Sequence, residues 1–93
     1  MVSQPEKLNL IRTNICYTPR VFERINKKLA VHLSEVEIKE LVNHVLIQPD
    51  EIQRIGKNYY IWDGEAQVSL TVNASNYRLI TANRRYVVIK ATD

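Results

Sequence analysis

The chain has 93 residues, of which 45% are hydrophobic and 25% are charged, and its formal net charge at pH 7 is +3. This length predicts one domain, residues 1–93, and the composition is that of an ordinary globular protein. The apolar runs are too short to cross a membrane, and the polar residues 1–7 lack the apolar core of a secretory signal. A single cysteine, Cys16, excludes an internal disulfide. We therefore expect a reducing, cytoplasmic location.

The start of the chain predicts a disordered tail over residues 1–5, followed by a short helix over residues 6–14. Thr18 and Pro19 then predict the start of a second helix that ends near Leu29, because threonine can cap a helix and proline is tolerated at the first helical position. Apolar residues four positions apart form the predicted buried face of this helix. They are Val21, Ile25 and Leu29.

A third helix is predicted to begin after Ser34. Ser34 and Glu37 have the spacing of a capping box, in which each side chain accepts a hydrogen bond from the other residue's amide. Pro49 is expected to end the helix, because the residue before a proline disfavours helical geometry. The residues predicted to face inward are Val36, Leu41 and Val45, with Ile38 and Val42 as further candidates.

Beyond Pro49 the hydrophobic period changes from that of a helix to the alternation of strands. Asp63-Gly64 predicts a two-residue hairpin. The next strand alternates apolar and polar residues up to Val72, which predicts a single core face. The predicted strands are 51–55, 59–62, 66–72, 77–82 and 84–90.

This order of elements predicts an α+β fold. Two or three N-terminal helices, within residues 6–48, pack on one face of a four- to five-stranded antiparallel β-meander, within residues 50–90. The other face of the sheet is expected to be more open, and any chemistry is expected on that face or in a shallow groove.

Positive charge concentrates in two segments. Four cations and one acid lie between Arg20 and Lys28, and four cations and no acid lie between Tyr77 and Lys90. Such clusters can contact phosphates, since lysine and arginine neutralise backbone charge and release counterions. The simpler interpretation is a slightly basic surface without a partner.

Tyrosines, asparagines and cations recur on the predicted strands and their turns, so we expect several cations to converge on the solvent-facing side of the sheet. Aromatic rings beside cations suit single-stranded RNA, and a cationic sheet could stabilise a phosphorane-like transition state without a metal. The candidate catalytic residues are Lys57 and Arg78. The candidate nucleic-acid-binding residues are Lys28, Tyr60, Tyr77, Arg84 and Arg85. The alternative is that β-propensity and turn preference alone explain these residues. No cofactor or metal is expected.

Three of these segments resemble an uncharacterised family of small bacterial proteins. They are Gly56-Lys57-Asn58-Tyr59-Tyr60, Leu70-Thr71-Val72-Asn73 and Tyr77 with Ile80-Thr81-Ala82. Upstream, the Glu23-Arg24-Ile25 segment is similar to a helical segment of the same family. The resemblance covers roughly residues 14–85 and implies a fold without implying an activity.

A looser, fold-level likeness is to toxin ribonucleases of the RelE and barnase type, which place helices before an antiparallel sheet. It implies an RNA-directed protein and, in its most specific form, a metal-independent endoribonuclease, although no catalytic motif transfers. The alternative hypothesis is a protein-binding module or inhibitor encoded on a mobile element, with Arg24 and Trp62 on its interaction surface. Its partner would be an antitoxin or an inhibited target. A homodimer through the C-terminal strand fits either hypothesis.

Overall fold

The computed structural model describes residues 4–84. Within that range three helices precede four strands, and the strands form one antiparallel sheet in the order β1-β2-β3-β4. The predicted α+β arrangement is therefore confirmed. The helices are α1 (Gln4–Asn14), α2 (Pro19–Leu29) and α3 (Glu35–Ile47). The strands are β1 (Glu51–Ile55), β2 (Asn58–Asp63), β3 (Val68–Asn73) and β4 (Leu79–Asn83).

The N-terminal helix is longer than predicted. It begins at Gln4 instead of Glu6, since Pro5 is tolerated in the first turn, where its missing N–H has no helical partner to lose. The predicted tail over residues 1–5 therefore overlaps the helix at two positions, and residues 1–3 lie outside the described part. Helix α1 packs against α3, and its Ile11 is fully buried.

Helix α2 has the predicted bounds and the predicted buried face of Val21, Ile25 and Leu29. Thr18 is extended, but its side chain does not cap the helix as expected; its backbone carbonyl accepts from the Val21 amide at 3.1 Å. At the other end Ala30 takes a left-handed conformation with φ 56°. Its amide and that of Val31 donate back into the last turn, which satisfies carbonyls that a helix end leaves free.

Helix α3 begins with the predicted capping box. The Ser34 hydroxyl accepts from the Glu37 amide at 3.1 Å, and the Glu37 carboxylate accepts from the Ser34 amide at 2.8 Å. The hydrogen bond that the Ser34 amide donates to the carboxylate, and after it the interaction with the Ser34 side chain, hold the pKa of Glu37 below its ordinary value. Val36 was predicted to face inward, but it is 66% exposed, because the buried face begins at Ile38.

The turn between β2 and β3 differs from the predicted two-residue hairpin. Asp63 pairs with Val68 as the last residue of β2, so residues 64–67 form the connection and Gln67 takes a φ of 55°. The Asp63 carboxylate accepts from the Glu65 amide at 3.1 Å, and the Asp50 carboxylate accepts from the Gly64 amide. Two side-chain acceptors thus favour a longer turn over the tight one that Asp-Gly alone predicts.

The fourth strand starts two residues later than predicted, at Leu79, and a register shift lies opposite it at Thr71/Val72. The predicted fifth strand, 84–90, lies outside the described residues except for Arg84. The register shift separates the pairing of Val72 with Leu79 from that of Thr71 with Thr81.

The helices cover one face of the sheet, where the inner residues of β2, β3 and β4 join the helical core. These residues are Tyr59, Ile61, Val68, Leu70, Val72, Leu79 and Ala82. On the opposite face Ser69 and Thr71 were predicted to be solvent-facing, yet they are only 1% and 7% exposed. They lie on an inner strand, next to the larger Trp62 and Tyr60 of β2. Strand β3 is therefore buried on both faces.

Candidate nucleic-acid interface

A groove lined with cations runs between α2 and β4. One end is a hollow of about 510 Å³ whose walls carry Arg20, Arg24 and Arg78. A second hollow of about 450 Å³ is lined by Arg24, Lys27, Lys28 and Thr81. Because Arg24 lines both hollows, we treat them as one surface and call it the α2–β4 groove.

The helix places its cations by simple periodicity. Arg20, Arg24 and Lys28 recur every four residues, one position before the buried row of Val21, Ile25 and Leu29. Residues four apart lie on the same side of a helix, so the two rows run beside each other along it. Burial of the apolar row against β4 therefore brings the cationic row to the edge of the same strand.

The strand side of the groove depends on Arg78, which lies just before β4. An isolated parallel bridge joins it to Cys16. The Cys16 amide donates to the Tyr77 carbonyl at 3.0 Å, and the Leu79 amide donates to the Cys16 carbonyl at 2.9 Å. The connector between α1 and α2 thus fixes the position of Arg78 beside the start of α2.

The β3–β4 turn supports the same arginine through side-chain amides. The side-chain oxygen Oδ1 of Asn73 accepts from the backbone amides of Ser75 and Asn76 at 2.8 and 3.1 Å. The Asn76 side chain accepts from the Arg78 amide at 2.9 Å. Tyr77, which lies between Asn76 and Arg78 in the chain, takes a φ of 57°. These asparagines were predicted as turn residues, and the structure shows that the turn they build positions a groove residue.

Arg84 lies at the far end of α2. Its Nε donates to the Leu29 carbonyl at 3.1 Å, so it binds a carbonyl at the C-terminus of the helix, where a positive charge is favourable. Helix α2 and strand β4 run in the same direction. Arg78, just before β4, lies near the start of α2, and Arg84, just after β4, lies near its end.

The groove carries uncompensated positive charge. No carboxylate of residues 4–84 lines either hollow, and the first turn of α2 holds no acid. Among residues 4–84, the contacts within 4.0 Å between a basic and an acidic side chain are those of His44, whose Nε2 lies 3.6 Å from a carboxylate oxygen of Asp63 and of Glu65. The groove cations are therefore available to an anionic ligand.

The other predicted site residues lie elsewhere. Lys57 is exposed in the β1–β2 turn. Its backbone carbonyl accepts from the Ala74 amide at 2.8 Å, so Lys57 and Arg78 lie at the same end of the sheet. Tyr60 and Trp62 lie half-buried on the sheet face away from the helices. Tyr77 is half-buried against the core. Arg85 lies outside the described residues.

Among residues 4–84, the cations do not converge on the solvent-facing side of the sheet, where they were expected. The only Lys or Arg within β1 to β4 is Arg54, which pairs with Tyr59 on the helix side, its guanidinium carbon 5.6 Å from the ring centre. The structure instead brings Arg24, Lys28 and Arg78 together in the groove. Sequence reasoning missed the role of Arg20, although its four-residue spacing from Arg24 was a usable signal.

Over residues 4–84, no group of three or more histidine, cysteine or acidic side chains is arranged to hold a metal ion. None of the described helices combines the length and the apolarity that crossing a membrane requires.

Comparison with known proteins gives one match. Residues 9–83 match the model of a family described as a protein of unknown function, DUF3781. No curated protein and no solved structure matches the chain.

Proposed function

The chain belongs to the DUF3781 family, and we propose that it is a small basic RNA-directed protein that holds RNA phosphates in the α2–β4 groove. The observation that carries this proposal is the meeting of Arg20, Arg24 and Arg78 in one hollow to whose lining the described part of the chain contributes no acid. An RNA partner would place the protein in the cytoplasm.

Physical chemistry favours a polyanion as the occupant of this groove. Cations that face one another across a hollow repel, and an anionic strand relieves that repulsion while it releases its own counterions. Arginine is well suited to this role, because its planar guanidinium can bind phosphate oxygens with two hydrogen bonds. The hollow is open to solvent, so the attraction should weaken steeply with added salt.

The more specific proposal is metal-independent cleavage of the bound RNA. In that reaction the 2′-hydroxyl attacks the adjacent phosphorus, and the bond to the 5′-oxygen breaks. Arg78, with Lys57 at the same end of the sheet, would stabilise the charge that develops on the phosphorane. Within residues 4–84, neither hollow is lined by a histidine or carboxylate that could move the protons, so the geometry supports binding more directly than cleavage.

Binding can be tested by fluorescence anisotropy with labelled RNA at low salt. Replacing both Arg24 and Glu23 with glutamine removes one groove cation while the net charge stays at +3. We expect about five- to tenfold weaker binding, as for the loss of one charge-assisted contact. Arg12→Gln removes an exposed cation from α1 and should have a much smaller effect. Absence of RNA affinity in the wild-type protein would refute the proposal.

Cleavage needs a separate measurement. The wild-type protein and an Arg78→Gln variant are incubated with RNA in the presence of a chelator, and the products are analysed for 2′,3′-cyclic phosphate ends. Loss of growth and of RNA integrity on expression in bacteria would support a toxin. Intact RNA at protein concentrations that saturate binding would limit the function to binding.

A second function, a protein-binding module, is favoured by a different surface. A hollow of about 320 Å³ is lined by residues of α1, the end of α3 and β1, among them Leu8, Ile47 and Ile52. Ile47 is 62% exposed, and exposed apolar residues around a hollow are typical of interaction sites. Under this hypothesis the partner is an antitoxin, an inhibited target or a second copy of the chain. Ile47→Asp should then abolish co-purification of the partner, or dimerisation, without changing RNA affinity.

A further inference from the structure

We propose that the α2–β4 groove takes a single RNA strand and binds about three successive phosphates, one per turn of α2, without reading the bases. This inference rests on the proposed function and names the form of RNA that the same site selects.

The spacing of the cations is the first argument. Arg20, Arg24 and Lys28 are four residues apart, which places successive side chains about 6 Å apart along the axis at a rise of about 1.5 Å per residue. This distance is comparable with that between neighbouring phosphates of one nucleic acid strand. The spacing of the row therefore suits contact with consecutive phosphates.

The dimensions of the groove are the second argument. Its hollows of about 510 and 450 Å³ lie in the range of sites for one small ligand, about 300–1,000 Å³. Each has room for one sugar-phosphate unit of the backbone, and Arg24, in both linings, lies where the phosphate between two units would be. Proteins that bind duplex RNA contact several grooves over about 16 base pairs, and one short cationic row does not provide such a surface.

The lining of the groove is the third argument. No aromatic side chain among the described residues lines either hollow, and Tyr60 and Trp62 lie on the sheet face away from the helices. Binding of single strands by stacking requires aromatic rings beside the cations. The groove therefore binds the backbone, and the bases point out of it.

The test compares an eight-nucleotide oligouridine with a duplex of the same length, by anisotropy between 20 and 300 mM salt. We expect the single strand to bind at least tenfold more tightly. For three contacts the slope of log K against log salt should be about −2, since each contact to a single strand contributes about −0.7. Arg24→Gln should reduce the slope by about 0.7, and Arg12→Gln should leave it unchanged. Oligoadenine should bind within threefold of oligouridine.

The outcomes separate this inference from the proposed function. If neither RNA binds at 20 mM salt, the proposed function fails. If the duplex binds as tightly as the single strand and Arg24→Gln weakens both, the groove still binds RNA but does not select a single strand, and the inference is overturned. A preference of more than tenfold for one base would likewise overturn it.

Discussion

Cys16 and Arg78 are joined by an isolated parallel β-bridge although 62 positions separate them in the chain (78 minus 16). The residues on both sides of Arg78 are bonded to the backbone of Cys16, at 3.0 and 2.9 Å. The bridge sets the start of β4 against the start of α2 and so forms one end of the groove. A connector that the sequence marks only by its apolar residues is therefore part of the proposed site.

The first prediction concerns the turn that supports Arg78. Asn73→Ala removes an oxygen that accepts from two backbone amides, so we expect a loss of about 1–3 kcal/mol in the free energy of unfolding. Although Asn73 lines neither hollow, RNA affinity of the folded variant should also fall. Urea denaturation and anisotropy measure the two effects.

The matched control for that variant is Asn43→Ala. Asn43 is exposed on α3, where alanine is the better helix former, so neither stability nor RNA affinity should decrease. Equal losses in the two variants would contradict the role assigned to the turn.

The second prediction concerns the start of α3. Ser34→Ala removes the hydroxyl that caps the Glu37 amide and should cost about 0.5–2 kcal/mol of folding free energy. Ser75→Ala changes an exposed turn serine and should cost much less. The comparison requires only thermal or urea denaturation. Equal stability of Ser34→Ala and the wild-type protein would show that the capping box contributes nothing measurable.

The third prediction is a pH dependence. Burial raises the pKa of Tyr17 above 10.0; its ring stacks on Phe22, and the Lys39 ammonium lies 5.4 Å from its centre. The folded state holds this proton more tightly than the unfolded state, so the associated stability is complete below pH 10 and is lost as the pH rises through the folded pKa.

Tyr17→Phe removes that dependence. Urea midpoints of the two proteins between pH 8 and 11.5 should fall less steeply for the variant above pH 10. Parallel curves would contradict the assignment, because all other tyrosines are common to both proteins.

The fourth prediction separates the two faces of the sheet. Tyr60 was a candidate for base stacking from the sequence, but it lies on the face away from the helices. We expect Tyr60→Phe and Tyr60→Ala to change RNA affinity less than twofold under conditions in which both are folded. A tenfold loss of RNA affinity in Tyr60→Ala would indicate that RNA binds to the sheet face away from the helices.

Local sequence signals predicted much of the fold. The four-residue spacing from Val21 to Leu29 and the Ser34–Glu37 pair act within a turn or two of a helix, so the structure confirms α2 and the start of α3. The prediction of a two-residue turn at Asp63-Gly64 was wrong because acceptors on Asp50 and Asp63 stabilise a longer connection. The dipeptide alone cannot reveal that the Gly64 amide bonds to Asp50, which lies 14 positions earlier in the chain.

The candidate site was predictable only in part. Both basic segments were evident, and both contribute to the groove. Their meeting place depends on the packing of α2 against β4 and on the Cys16 bridge, which are contacts between distant parts of the chain. The burial of Ser69 on the sheet face away from the helices likewise could not be predicted from the sequence. Alternation of polar residues predicts a solvent-facing side, but it does not show which side chains of the neighbouring strands cover that side.

The most direct test of the central claim is an NMR titration of the isotope-labelled protein with single-stranded RNA. The account predicts that the largest amide shift changes cluster at residues of the groove, including Arg20, Arg24 and Thr81, and that they diminish as salt is added. Shift changes centred on Tyr60 and Trp62, or no changes at low salt, would contradict it.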